Sequence, residues 1–427
     1  MLKILTTLVC LLILLFNYQK RQLISSSTMW IFGYLLIMVF YPIYETEIDY
    51  FHEGLIDILA FFGVICFFAG LLFSSKYTIK RKSKDNAVKY AIAPDFNVSR
   101  IAFLITFILS LAALIYLLGT EGVRSILIGT TTSKQFALSS DRSNSLYVFA
   151  VHLMVPCVLG MWVSAKSKKE RILSFFALLI YVIETVLFGF TRIFLITIIA
   201  IVLIFEIRNK PQRTQFRYAI IGILLVMAAL VSMNFIRSLG LGQINNIWSY
   251  INLDYIFQST DFSASYYWFD KLLYIDPPYI NPIVYLKPIF MIIPRSIWET
   301  KPDPLSLQIL RIVDPVRAST GYSTAGNSVL GEGYAILGYF GMFLFPFIWG
   351  LVCGSLDKNY YRRLRAGINT SLSNIYYYIF AVFIVISGQR GDWCQYMGIV
   401  CWFYFLPLYL MSKVTLRKRE WGRYHDQ

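Results

Sequence analysis

Long apolar runs recur along the whole chain, and short polar segments separate them. A transmembrane helix needs about 20 mostly apolar residues, whereas the strand of a membrane β-barrel alternates apolar and polar positions. The runs here are continuous rather than alternating. The pattern therefore predicts an all-α polytopic membrane protein with about eleven transmembrane helices. The predicted spans cover residues 2–17, 26–44, 55–74, 101–119, 146–165, 172–188, 193–206, 218–236, 334–354, 373–387 and 394–412.

Composition supports this class and excludes several others. Hydrophobic residues make up 57% of the chain and charged residues only 15%, against roughly 25% charged in soluble domains. A soluble protein, a disordered chain and a coiled coil are excluded on these values. The six cysteines all lie in or beside apolar runs, so the sequence predicts no disulfide framework.

The net charge of +15 comes from basic loops on one side of the membrane. Lys and Arg favour the cytoplasmic side of short loops. If alternate loops are cytoplasmic, they hold 26 of the 39 Lys and Arg residues. We therefore expect the N-terminus outside, the C-terminus in the cytoplasm, and no nucleic-acid partner. The cytoplasmic segments would be 18–25, 75–100, 166–171, 207–217, 355–372 and 413–427.

One loop is much longer than the others, which divides the chain into three regions. Residues 1–236 form the first helical bundle, 237–332 the large outer loop between the eighth and ninth spans, and 333–427 the last three spans with a basic tail. Apolar residues at helical spacing predict an amphipathic surface helix within 244–275. The apolar stretch 283–294 is too short to span, so we expect an interfacial or re-entrant piece.

Eight arginines lie on the predicted outer side, against the usual charge bias. Guanidinium groups bind phosphate oxygens in a bidentate manner, so such a set suits a lipid-linked phosphate or diphosphate. The alternative is that individual arginines anchor helix ends or pair with nearby acids. The eight are Arg124, Arg142, Arg192, Arg237, Arg295, Arg311, Arg317 and Arg390.

Two acids near those arginines are candidates for a general base. Glu332 stands between two glycines before an apolar span, and Asp303 lies in a proline-rich run. A carboxylate can accept the proton of a sugar hydroxyl. For Glu332 the alternative is an acid that complements a helix N-terminus. Asp392 is interpreted as an ion partner of the nearby Arg390.

Three further features carry weaker hypotheses. The acids of 45–49, with His52, could bind a divalent cation, although a solvated acidic loop explains them better. His152 and Glu184 lie within spans, where ionisable groups are functional candidates or hydrogen-bonded parts of the bundle. The sequence contains no nucleotide-binding glycine loop and no known protease or esterase motif.

The chain resembles the Wzy-type O-antigen polymerases, also called oligosaccharide repeat unit polymerases. The resemblance covers the overall arrangement of spans and the large outer loop. It is sharper at the turn 189–192, at the run 294–302, and at 331–334 followed by Gly338 and Gly341.

This resemblance implies a GT-C-like inner-membrane glycosyltransferase. Such an enzyme transfers a growing glycan from undecaprenyl diphosphate to a lipid-linked repeat unit on the periplasmic face, without a metal or other cofactor. It implies substrate-handling roles for Arg192, Arg295 and Arg390, and extends them to Arg142, Arg237 and Arg317. Glu332 matches the position where family members carry an acid before a span. Membrane lipids, a chain-length regulator and a flippase are the partners it suggests.

Two other functions stay open at this point. A lipid-linked oligosaccharide flippase would also need a diphosphate site, but we would expect charges within its spans and an internal repeat. An O-antigen ligase often relies on an outer-loop histidine, and the segment 237–332 has none. Both comparisons favour the polymerase.

The topology gives a first testable prediction. A reporter fused after residue 427 should be cytoplasmic, whereas one inserted near Asn281 should be exposed outside, because the basic loops fix the orientation. Reporter activity on both sides of the membrane measures this. Finding both reporters on one side would contradict the eleven-span arrangement.

Overall fold

The computed structural model is helical throughout, and the residues it describes contain no strand. This confirms the all-α class. The described residues are 2–20, 22, 24–44, 50–76, 93–128, 145–188, 192–208, 210–239, 262–293, 297–319, 325–366, 372–384 and 391–425.

Eight main helices form the first half of the chain. The second of them continues through a π-helical turn, Leu36–Phe40, to Tyr44. The fourth is interrupted at Gly119 by a non-helical backbone conformation. The eight are α1 Leu2–Gln19, α2 Ser26–Leu35, α3 Glu53–Lys76, α4 Phe96–Ile128, α5 Ser145–Ser164, α6 Lys168–Phe188, α7 Arg192–Ile207 and α8 Gln212–Leu239.

Six further main helices are described in the second half of the chain, besides short helical turns. Two of them continue through π-helical turns, Phe380–Ile384 and Val400–Phe405. The six are α9 Phe262–Ile275, α10 Leu305–Val313, α11 Val329–Arg365, α12 Leu372–Ile379, α13 Trp393–Ile399 and α14 Leu406–His425.

Every predicted span overlaps a helix or a helical run, but the helices differ in length and apolar character. Among the described residues, six segments are long and apolar enough to cross a membrane. Shorter apolar helices cover Ser26–Phe40, Ile198–Ile207 and Leu372–Val382. The membrane class is supported, and the count of eleven spans stays a prediction. The six segments are Leu2–Gln19, Glu53–Ser75, Phe96–Ile126, Tyr147–Ser164, Val329–Arg365 and Trp393–Arg417.

The outer surface of the bundle is apolar. Large side chains such as Ile108, Leu224 and Phe340 are about two-thirds exposed, at 64%, 63% and 67%. Soluble monomers rarely expose contiguous apolar patches larger than a few hundred Å². A surface of this kind suits contact with lipid tails.

Helices α3 and α11 approach so closely that their backbones touch. A Cβ atom on Gly70 would lie 2.2 Å from the carbonyl oxygen of Phe347, and one on Gly350 would lie 2.1 Å from that of Phe67. Small residues at such a crossing allow close helix packing in membranes. On the other side of Phe67, the ring of Trp30 stacks at 3.7 Å between centroids. This crossing joins α2, α3 and α11 into the centre of the bundle.

Helix α11 begins before the predicted span and bends inside it. The spans were predicted to resume at residue 334, but the helix begins at Val329 behind the N-cap Ser328. Gly338 interrupts it with φ 61° and ψ −149°. Residues other than glycine rarely adopt this backbone conformation. The result is a short arm, residues 329–337, ahead of the long membrane segment.

The large loop is described in part. Helix α9 covers the second half of the predicted amphipathic stretch, and residues 244–261 lie outside the described part of the chain. The apolar stretch 283–294 is not one helix, because it divides into a 3₁₀ turn, Pro282–Leu286, and a short helix, Lys287–Phe290. Trp402 holds this piece against the bundle by donating to the Pro288 carbonyl oxygen at 2.8 Å.

Polar contacts near the two ends of α3 join it to different parts of the chain. At one end, the buried Asp270 accepts hydrogen bonds from the backbone N–H groups of Phe51 and His52. At the other end of α3, Lys358 donates to the carbonyl oxygen of Ser75, and Tyr361 donates to that of Ile24. Which end faces the cytoplasm stays a prediction.

Asp357 locks the start of α2 onto the far part of α11. Its Oδ1 accepts from the backbone N–H and hydroxyl of Ser26 and from the hydroxyl of Tyr377, at 2.9, 2.7 and 2.6 Å. Its Oδ2 accepts from the backbone N–H and hydroxyl of Ser27 at 3.2 and 2.6 Å. A carboxylate at a helix N-terminus is favoured by the helix dipole, and these five donors stabilise the buried side chain.

The crossing of α3 and α11 gives a second prediction. Gly350→Ala should lower the free energy of unfolding by about 1–3 kcal/mol, because the new methyl group overlaps a backbone oxygen. Thermal unfolding of the purified protein in detergent measures this. Gly54→Ala is the matched control, since a Cβ atom there meets nothing within 4 Å. Equal melting temperatures for the two variants would contradict the close crossing.

Candidate functional site

The N-terminal ends of three helices meet around two carboxylates. These are the starts of α10, α11 and α13, and the carboxylates belong to Glu332 and Asp392. Helix N-termini carry partial positive charge and free N–H groups, so they attract anions. The arrangement explains how two acids, 1% and 5% exposed, are stable in the protein interior.

Asp392 ties two of these helices together. Its Oδ1 accepts from the Gln395 N–H at 3.3 Å and so caps α13. Its Oδ2 accepts from the hydroxyl and the backbone N–H of Ser306, the second residue of α10, at 2.6 and 3.3 Å. Its backbone is left-handed, with φ 58° and ψ 45°. Asp392 is thus a structural cap in the described residues, and the expected pairing with Arg390 falls outside them.

Glu332 has one occupied and one open carboxylate oxygen. Its Oε1 accepts a hydrogen bond from the backbone N–H of Asp392, and the N–H of Trp393 adds favourable electrostatic interaction. Its Oε2 is buried and has no hydrogen-bond partner among the described residues. A buried unsatisfied polar atom is costly, so this oxygen is a candidate contact for a substrate group.

The wall beside Glu332 is polar and aromatic. Asn327 is 1% exposed, and neither atom of its amide has a hydrogen-bond partner within the described segments. The ring of Tyr285 stacks on that of Trp393 with centroids 5.2 Å apart. Burial, and next the nearby Glu332 carboxylate, raises the pKa of Tyr285. Tyr285 therefore stays a neutral hydroxyl beside the acid.

Asp303 lies in a different electrostatic setting. Its Oδ2 is 2.5 Å from Nη1 of Arg311 in an ion pair. The pair connects the segment before α10 to the last turn of that helix, because Asp303 precedes the start of α10 and Arg311 lies in its last turn. Asp303 is thus occupied by an ion pair, whereas Glu332 has an oxygen without a hydrogen-bond partner among the described residues. The geometry favours Glu332 over Asp303 as the candidate base.

The predicted arginine set is only partly visible. Arg317 lies over the ring of Trp268, with 5.5 Å between the guanidinium carbon and the ring centroid. The backbone at Arg192 and Arg237 belongs to α7 and α8, but their side chains lie outside the described part. The joint diphosphate site stays a prediction. The remaining members, Arg142, Arg295 and Arg390, lie outside the described residues.

The other candidates do not join the Glu332 site by any contact among the described residues. His52 faces Asp270, with 3.8 Å between Nδ1 and Oδ1, and residues 45–49 lie outside the description. His152 lies 3.5 Å from the hydroxyl of Tyr404. Glu184 is 5% exposed and interacts with Ser110 and Tyr147 in the first bundle.

Sequence reasoning missed two participants of the site. Ser306 belongs to no recognisable sequence motif. The only indication in the sequence is its position in the first turn of a helix that follows a proline. Asn327 follows the run of small residues before Glu332 and belongs to a segment that contacts Gly391. No three His, Cys, Asp or Glu side chains come together as metal ligands would in the described segments.

Comparison of the chain with protein-family models, with curated proteins and with solved structures finds no match.

The loop that carries Asp392 gives a third prediction. Gly391 has φ 103°, and a Cβ atom on it would lie 2.2 Å from the carbonyl oxygen of Asn327. Gly391→Ala should therefore cost more than about 2 kcal/mol, by combining backbone strain with steric overlap. Thermal unfolding in detergent measures the loss.

The matched control for this change is Gly119→Ala. Gly119 also has a positive φ, 68°, but a Cβ atom there meets nothing within 4 Å. Gly119→Ala therefore introduces backbone strain but no steric overlap. If both variants unfold at the same temperature, the contact between Gly391 and Asn327 does not support the site.

Proposed function

We propose that the protein is an integral membrane glycosyltransferase of the polymerase type. It transfers a growing glycan from undecaprenyl diphosphate to a lipid-linked oligosaccharide repeat unit at the outer face of the inner membrane. The N-terminus is then periplasmic and the C-terminus cytoplasmic. The product is an O-antigen, a capsule or another repeat-unit polysaccharide.

The observation that carries the proposal is the open oxygen of Glu332. It belongs to a buried carboxylate kept in place by helix N-termini, at the end of the bundle where the large loop packs. Tyr334, two residues on, hydrogen-bonds to Asp276 just after α9. This supports a site between the membrane segment and the loop, where a lipid-linked substrate and a sugar acceptor can meet.

In the proposed reaction, Glu332 accepts the proton of the acceptor hydroxyl. The hydroxyl oxygen forms the new glycosidic bond to the anomeric carbon of the donor sugar, and the bond from that carbon to the diphosphate breaks. Undecaprenyl diphosphate leaves with the bonding electron pair. Arg295, Arg390 and Arg192 neutralise its charge, supported by Arg142, Arg237 and Arg317, because guanidinium forks match phosphate oxygens.

The resemblance to Wzy-type polymerases supports the same reading through the motifs around residues 192, 295 and 332. The aromatic side chains beside Glu332, Tyr285 and Trp393, offer flat faces of the kind that pack against sugar rings. A flippase needs no general base, so an open buried carboxylate beside a polar amide favours an enzyme.

The proposal gives a fourth prediction. Glu332→Gln should keep the shape of the side chain and the hydrogen bond from Asp392, but lose proton acceptance. Removal of a general base typically lowers the rate by about a hundred- to ten-thousand-fold. Polymerisation in vitro from purified lipid-linked repeat units measures this. Binding of the substrate should survive, because the arginines carry the charge contacts.

Asp303→Asn is the matched control, since it removes one carboxylate of the same region that is already paired with Arg311. It should retain most of the activity. Normal turnover by Glu332→Gln, with Asp303→Asn inactive, would move the base to Asp303. Normal turnover by both would remove both acids from the reaction.

Glycan analysis of a deletion strain separates the polymerase from the other functions. Single capped repeat units without long chains indicate a polymerase. Loss of every capped unit would instead indicate a flippase or a ligase.

A further inference from the structure

A cavity of about 730 Å³ lies at the end of the bundle that carries the basic loops. It lies near the C-terminal end of α11, beside the contact of Lys358 with Ser75, whereas Glu332 lies near the N-terminal end of that helix. The ends of α1, α3 and α11 and the connection between α7 and α8 form its walls. Its polar lining includes Lys20, Arg208, Gln215, Asp357, Lys358 and Arg365.

The lining is strongly cationic. Among the described residues, four basic side chains and one carboxylate line the cavity. That carboxylate, Asp357, accepts five hydrogen bonds from neutral donors on Ser26, Ser27 and Tyr377. Its oxygens are therefore occupied by donors of the bundle itself.

Arg208 presents unsatisfied donors here. Its guanidinium carbon lies 3.4 Å from the centroid of the Phe205 ring, and this stacking fixes its plane. Gln215 donates to the Arg208 carbonyl oxygen at 3.0 Å and holds the backbone. Yet Nε and Nη1 are shielded from solvent and have no hydrogen-bond partner among the described residues. Buried donors of a charged group are costly to leave unpaired.

Two lysines at the cavity repel each other. Partial burial, and next the positive charge of Lys358, lowers the pKa of Lys20, whose side chain stays largely exposed. Like charges that are held close together disfavour their charged forms. A bound anion would relieve this repulsion and satisfy Arg208 at the same time.

We propose that this cavity binds a phosphate group, either in the headgroup of an anionic phospholipid or in a soluble phosphate compound. Phosphate oxygens match the fork of a guanidinium, and lysines supply further point charges. The volume lies within the roughly 300–1,000 Å³ that small-molecule sites occupy. The site is independent of the glycosyl transfer proposed for the opposite end.

The test uses the full chain purified in detergent and follows thermal unfolding in two arms at constant ionic strength. One arm adds inorganic phosphate and diphosphate, with chloride as the reference. The other adds phosphatidylglycerol, with phosphatidylcholine as the reference. A rise in melting temperature in the first arm indicates a soluble phosphate ligand, and a rise only in the second indicates a lipid headgroup. No rise in either arm would overturn the proposal.

Variants localise the effect. Arg208→Gln and Lys20→Gln should each weaken the apparent affinity about tenfold, the effect of losing one charge-assisted hydrogen bond. Arg213→Gln removes the same charge from an exposed arginine of α8 that does not line the cavity, and it should bind like the wild type. If Arg208→Gln fails to fold, the test depends on Lys20→Gln, because the side chain of Lys20 is largely exposed. If Arg213→Gln weakens the apparent affinity as much as the other two variants, binding reflects general charge attraction, and the proposed site is wrong.

Discussion

The backbone contact between α3 and α11 is the constraint on which the rest of the structure depends. Gly70 and Gly350 bring two membrane helices closer than any side chain would allow. In a bilayer the hydrophobic effect does not drive helices together, so close packing and buried polar contacts supply the specificity. Because α11 also carries Glu332 near one end and Asp357 near the other, this crossing fixes where both ends of the bundle place their polar groups.

Both polar ends contain a buried carboxylate at a helix N-terminus, but the two carboxylates have different numbers of hydrogen-bond donors. At each end, helix N-terminal N–H groups donate hydrogen bonds to a buried carboxylate. Asp357 is fully occupied by its donors, which makes it a structural anchor. Within the described segments, Glu332 keeps one oxygen without a hydrogen-bond partner, which makes it a candidate for chemistry. The difference lies in the number of donors around each acid, since both are buried.

The sequence predicts the helices much better than it predicts the site. Continuous apolar runs indicate helices because length and hydropathy are local properties, and each predicted span overlaps a helical segment. The bend at Gly338 leaves no trace in hydropathy, since glycine fits equally well in a straight apolar helix. Glu332 stands out by its two flanking glycines, but its partner Asp392 lies 60 residues further on. Contacts of that range follow from the fold and have no local signature.

The anchor at Asp357 has a consequence for the order in which the protein is made. The N–H of Ser26 finds its acceptor on a residue that is 331 positions later in the chain. At about 5–20 residues per second, translation needs roughly 17–66 seconds to cover that distance. During this interval the first helices are already synthesised, but the start of α2 lacks its carboxylate. The hydrogen bonds between the start of α2 and Asp357 can therefore form only late in biogenesis, after α11 has been synthesised.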